Sequence, residues 1–278
     1  MHVLLAQLAP RRGDLEANRA RLEAVVRAYR ADLYVFPELY LFGYAPGDRV
    51  HRLALTAEDP AVSKLTTLAK ETHAGILVGG PWRSEDRPGE VHNAALLAGP
   101  DASFQVQIKR YLPNFGPFEE AALYTPTDTS TPLLLGSHRL GVEICYDAYF
   151  PEVSRELALQ AAVLLVVLSA APVTSKGLFE KVLPARAVEN ACPVVYVNRV
   201  GVEDGIVFGG GSHAWDARGE LLPVESLSLG DSTPEERLDR VEIDLDEVPR
   251  WRPFRPVLRD VARDARPHPR SSASHPSP

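Results

Sequence analysis

The chain has 278 residues, 45% hydrophobic and 24% charged, with a formal net charge of -7. This is the composition of an ordinary globular protein, long enough to bury one large core or two small ones. The acidic balance excludes an overall basic field of the kind that draws a chain onto nucleic acid or acidic membranes, which leaves small-molecule chemistry or protein partners.

The N-terminal "MHVLLAQLAPRRGD" lacks a basic lead and a small-residue cleavage site, so it reads as structure rather than a signal peptide. "HVLLAQLA" predicts a strand, "DLEANRARLEAVVRAYRA" a helix and "DLYVFPE" a second strand. "DPAVSKLTTLAKETHA" then predicts a helix and "GILVGGPW" a strand. "NAALLAGP" and "SFQVQIKRYL" predict an antiparallel pair closed by Gly-Pro-Asp. Further on, "PLLLGSHRLGVEIC" predicts a hairpin, "FPEVSRELALQAA" a helix, "VLLVVLSA" a buried strand, "LPARAVENA" a helix and "PVVYVNRVG" a strand. A late hairpin, "GSHAWDARGEL", turns between Asp216 and Gly219.

Strands alternating with helices, plus several hairpins, predict an α/β domain of layered sheets covered by helices, with no internal linker. One domain is expected over residues 1–262, and a disordered tail over 263–278, where "ARPHPRSSASHPSP" is too poor in apolar residues to join a core. The longest apolar run, residues 161–173, is too short to span a bilayer and ends near a proline, so no membrane association and a cytoplasmic location are expected. Cys145 and Cys192 are the only cysteines, and a reducing compartment argues against joining them. The eight histidines form no HxxxH and the cysteines no CxxC, so no metal site is expected.

Three reactive side chains each follow a strand-like run: Glu38 after "LYVFP", Lys109 after "FQVQI" and Cys145 after "LGVEI". Each has a bland alternative: a surface carboxylate, a snorkelling lysine, a packed thiol. Together they form a chemical set. A base takes the thiol proton, the sulfur attacks a carbonyl or nitrile carbon, and the ammonium supports the charge that develops on the heteroatom.

"VFPELYLFGY", "KRYLPNFGPFEE" and "GVEICYDAYFPE" resemble the three motifs of the nitrilase superfamily of carbon-nitrogen hydrolases, in the same order, and the resemblance covers roughly residues 3–259. It implies a four-layer αββα sandwich, dimeric or larger, needing no metal or organic cofactor. It also implies Cys145 as nucleophile, Glu38 as general base, Lys109 as the cation at the tetrahedral intermediate and the Tyr146 N–H as a second oxyanion donor. A second glutamate that positions the substrate corresponds to Glu120, with its neighbour Glu119 as the alternative. The nitrile-hydrolysing branch carries a different segment around its lysine, so hydrolysis of a small linear amide is the better expectation.

Within the amide branches the chain is similar to the glutaminase domain of glutamine-dependent NAD synthetases, through "FPELYLFGYAPGD", "YLPNFGPFEE", "LSAAPVTSKG" and the whole of residues 185–221. That likeness implies that Ser169 and Ala171 approach the substrate and that Tyr44 walls the pocket beside Glu38. Alanine at 171 replaces the serine usual there, which would weaken recognition of an α-amino acid head group. No Ser-Gly-Gly-x-Asp-Ser loop occurs, so the expected protein is a free-standing amidase or an ammonia-supplying subunit of a separate synthetase. A carbamoyl-amide hydrolase and a silent scaffold subunit are the rivals.

Among the remaining residues, Cys192 reads as inert core, and Arg186, Glu189 and Asn190 as a buried ion pair and cap. Asp147 and Glu152 are expected to pair with basic side chains and so hold the elbow at Cys145. "GGGS" at 209–212 reads as a close backbone approach near the site rather than a phosphate cradle. The arginine-rich end, with its interspersed acids, reads as a packing tail.

Overall fold

A computed structural model describes residues 1–44, 47–230 and 232–264. Seven strands form the first sheet: β1 (His2–Gln7), β2 (Leu33–Val35), β3 (Gly75–Arg83), β4 (Val91–Ala98), β5 (Phe104–Ile108), β13 (Val224–Leu227) and β14 (Arg237–Glu242). Their order is β13-β14-β1-β2-β3-β4-β5. The second sheet, ordered β12-β9-β8-β7-β6, uses β6 (Leu133–Leu135), β7 (His138–Ile144), β8 (Leu164–Ser169), β9 (Val194–Asn198) and β12 (His213–Trp215). A separate hairpin joins β10 (Val200–Glu203) to β11 (Ile206–Gly209).

Each sheet has a parallel centre, β1-β2-β3 in one and β7-β8-β9 in the other, which requires helical crossovers. The first sheet is crossed by α1 (Leu15–Ala28) and α3 (Pro60–Thr72). α1 is capped by Asp14, which accepts the Ala17 N–H, and α3 by Asp59 with Pro60 in the first turn. The second sheet is crossed by α5 (Pro151–Leu159) and α6 (Lys176–Asn190). Shorter helices are α2 (Val50–Leu53), α4 (Glu120–Leu123) and α7 (Glu247–Trp251), and α8 (Val257–Asp264) closes the described chain.

Three apolar layers hold these elements. Leu22, Val26, Leu65 and Leu68 from α1 and α3 pack on Leu4, Phe36, Ile76 and Leu96 of the first sheet. Val3, Leu5, Val35, Leu77 and Leu97 meet Leu140, Val142, Ile144, Val166 and Val197 between the sheets. Val153, Leu157, Phe179 and Leu183 cover the outer face of the second sheet with Leu165, Val167 and Tyr196. Alternate residues of one strand thus enter different layers, as the period of two demands. The stack is the expected αββα sandwich. The periodicity did not announce β10–β11 or the β13–β14 pair, which brings the chain back antiparallel to β1 with His2 opposite Glu242. Residues 265–278 of the expected tail lie outside the described residues; its first two, Arg263 and Asp264, end α8. No helix among the described residues is long and apolar enough to cross a membrane.

Candidate active site

Glu38 lies just past β2 in a turn pinned to β3: the Phe36 N–H donates to the Leu77 carbonyl and the Gly79 N–H to that of Pro37. Leu39 adopts φ 50, a left-handed conformation that L-residues disfavour, and this turns the carboxylate inward. The turn crosses β3 so closely that a Cβ on Gly79 would stand 2.3 Å from Leu39 N and 2.6 Å from Glu38 Cα. Only glycine fits there.

Lys109 follows β5, its N–H extending the ladder to the Asn93 carbonyl at 2.8 Å. Its ammonium, fully buried, sits 2.6 Å from Glu38 Oε1 and 2.7 Å from Glu120 Oε2. Asn93 Nδ2 donates to both carboxylates, at 2.8 Å and 3.2 Å. Tyr44 donates its hydroxyl to Glu120 Oε1 at 2.6 Å, and the Ala170 N–H donates to Glu38 Oε2 at 2.7 Å. Burial opposes the charge of Lys109, yet Glu120 and Glu38 outweigh it and hold its pKa above the ordinary lysine value. Burial, reinforced by Glu38 and opposed by Lys109, raises Glu120. Of the two neighbouring glutamates, Glu120 is the one in this cluster; Glu119 is exposed.

Cys145 follows β7 of the other sheet at φ 47 and opens a single 3-10 turn, Cys145–Tyr149. The residue is partly exposed. Burial of the sulfur and then the Glu38 charge push the thiol pKa up, against the pull of Lys109. Cys145 therefore rests as a thiol. Ser169 lies close enough to interact with this thiol and with the Tyr196 hydroxyl, although its Oγ completes no well-formed hydrogen bond among the described residues. The Tyr146 N–H belongs to the first turn of the 3-10 segment, whose N–H groups have no acceptor within the helix.

Two groups, Asp147 and Arg186, hold the turn of Cys145. Asp147 was expected to pair with a basic side chain; instead it accepts the N–H groups of Tyr111 at 2.8 Å, Ile144 at 3.1 Å and Arg110 at 3.1 Å. It thus ties the segment after Lys109 to the turn of Cys145. Burial pushes its carboxyl up to about 7, against the charge of Lys109 and these donors. Glu152, also expected to pair, is exposed, and no ion pair reaches it among the described residues. Arg186 forms the expected pair with Glu189 at 2.9 Å, and also donates Nε to the Ala148 carbonyl and Nη2 to that of Tyr149, both at 2.9 Å.

Ala171 packs with Phe179 and Tyr196 below the site. Its N–H and carbonyl are both held by the Asn198 side chain, which also binds the Gly210 carbonyl at 2.9 Å. This anchors the 209–212 segment beside residue 171. Cys192 is buried and donates only weakly toward the Ala162 carbonyl. Asn93 and Asn198 were missed; their signal was an amide inside an otherwise apolar strand, which must be satisfied when buried. Glu143, two residues before Cys145, was missed as well. It points away from the inter-sheet layer, accepts the Ser154 hydroxyl through Oε1 at 2.8 Å, and its Oε2 has no partner among the described residues. Burial pushes its carboxyl up to about 8, only partly relieved by Ser154. Among the described residues no group of three or more His, Cys, Asp or Glu is arranged to hold a metal ion.

A thiol on one sheet thus meets, from the other, an ammonium wedged between two carboxylates, and residues 3–253 match the model of the carbon-nitrogen hydrolase family. The chain belongs to that family and is a hydrolase. Among its relatives, a glutamine-dependent NAD(+) synthetase of Thermotoga maritima is 34% identical over 89% of this chain, which spans only 42% of that protein's length. An (R)-stereoselective amidase of a Pseudomonas species is 32% identical, over 89% of this chain and 86% of its own. The amidase of Nesterenkonia sp. AN1, solved as a cysteine-to-alanine mutant in complex with butyramide, superposes with a TM-score of 0.75 at 28% identity, covering 96% of this chain and 97% of that one.

Proposed function

We propose that the protein hydrolyses a small linear amide through a thioester on Cys145. Glu38 takes the thiol proton, sulfur bonds to the carbonyl carbon, and the oxyanion is met by Lys109 and the Tyr146 N–H. The C–N bond then breaks and ammonia leaves with the proton from Glu38. Water, losing a proton to Glu38, attacks the thioester; the C–S bond breaks, the carboxylic acid departs and the thiol regains its proton. Glu120, with Tyr44 and Asn93, holds Lys109 and faces the substrate amide. The observation that carries this reading is the fully buried ammonium within 2.7 Å of both carboxylates, in electrostatic contact with a thiol on a left-handed turn. Likeness to the two amidases supports it.

Ammonia release across amides, carbamoyl compounds, glutamine and nitriles, with intact-mass detection of an acyl adduct, tests the reading. Full activity of Cys145→Ala would refute it. Likeness to the Thermotoga synthetase favours a second reading, a glutaminase that supplies ammonia to a separate synthetase subunit. Turnover of glutamine alone, and only with such a subunit present, would select it.

A further inference from the structure

Lys109 and Glu120 bound a loop whose two ends are tied to the same buried ion cluster, so residues 110–119 form an arch with both feet fixed. Three aromatic side chains of the arch each meet an aromatic partner near the nucleophile or the carboxylates. Tyr111 stacks on Phe150 at 3.6 Å between ring centroids, Phe118 meets Tyr44 edge-on at 6.0 Å, and Phe115 meets Tyr146 edge-on at 5.3 Å. The first two contacts pin the arch. The third differs: Phe115 is 53% exposed, although a phenylalanine on a solvent loop gains nothing from water. Its ring reaches the residue that directly follows Cys145. The basic residue of the arch is committed elsewhere, with Arg110 held by Glu156 at 2.5 Å.

Resting on the amidase reading above, we propose that Phe115 and Tyr146 form a collar that selects the chain beyond the scissile carbonyl, accepting an uncharged apolar acyl chain and excluding a zwitterionic head group. The buried cluster at the feet of the arch already balances two carboxylates against one ammonium. A second ammonium and carboxylate, as on glutamine, would have to shed water against the two rings. A methylene chain gains from the same contact, at about three- to fourfold in kcat/KM for each methylene fully covered.

The test is steady-state kinetics on acetamide, propanamide, butanamide, pentanamide and glutamine, with wild type and Phe115→Ala, together with intact-mass detection of the Cys145 acyl adduct. Wild type is expected to gain about tenfold or more in kcat/KM from acetamide to pentanamide and to prefer pentanamide over glutamine by at least that factor. Phe115→Ala is expected to flatten the series while keeping acetamide turnover within about twofold. A flat wild-type series, a preference for glutamine, or an equal loss on acetamide and pentanamide overturns the collar. If acetamide still acylates Cys145 in that case, the amidase reading survives alone; if no amide acylates Cys145, both fall.

Discussion

Replacing Glu143 with glutamine should remove a pH dependence of stability that wild type carries. The carboxyl is 1% exposed, leans on one hydroxyl and has a folded-state pKa of about 8 against an ordinary value of 4.5. The folded state therefore binds a proton that the unfolded chain releases between these values. The resulting stabilisation is fully present below pH 4.5 and is lost as pH rises through 8. At about 1.4 kcal/mol per tenfold change in proton activity, wild type should lose about 3 kcal/mol relative to Glu143→Gln between pH 5 and pH 8. Urea denaturation of both proteins at matched concentration, at pH 5, 6, 7 and 8, measures the difference. Asp147 titrates in the same window and its charge helps to raise Glu143, so part of its titration enters the difference. A difference that stays constant within about 0.5 kcal/mol across the series would refute the reasoning, because Glu143 would then ionise as it does in water.

Gly79→Ala should displace the Glu38 turn and abolish amide hydrolysis, whereas Gly80→Ala, whose Cβ meets only the Leu41 and Leu96 side chains at 3.1 Å and beyond, should retain most of it; parallel activity and circular dichroism separate the two. Lys109→Met should lower stability by about 3–5 kcal/mol, since it strands two buried carboxylates, and a melting temperature equal to wild type would contradict the ion cluster. Arg186→Met should release the Ala148 and Tyr149 carbonyls and lower kcat more than it raises KM, with a stability loss of about 1–3 kcal/mol; unchanged kcat would make the clamp merely structural.

The layers were legible in the sequence because period-two runs such as "LGVEI" and amphipathic stretches such as "DLEANRARLEAVV" each state which face is buried. The hairpin at 200–209 was not, because Gly201, Gly205 and Gly209 break its alternation. Strand β14 was hidden differently: four of the six residues of "RLDRVE" are charged and its two apolar ones, Leu238 and Val241, stand three apart, so the pattern resembled a surface segment until β1 supplied its partner. Glu38, Lys109 and Cys145 could be picked out as strand-end residues, and their likeness to known motifs grouped them. The backbone partners of Asp147 and Arg186 could not be named, because no side-chain pattern encodes which N–H or carbonyl lies in reach.

Glu38 and Lys109 stand at strand ends of one sheet and Cys145 at a strand end of the other, so no single strand or turn sets the distance from carboxylate to sulfur. The apolar layer between the sheets sets it. Leu5, Val35 and Leu77 on one side and Val142, Ile144 and Val166 on the other act as a spacer whose thickness sets how far apart these groups stand. Shaving one of these side chains lets the sheets settle toward each other; enlarging one props them apart. Substitutions in the middle of the sandwich, remote from any reacting atom, would then register in turnover as readily as in stability.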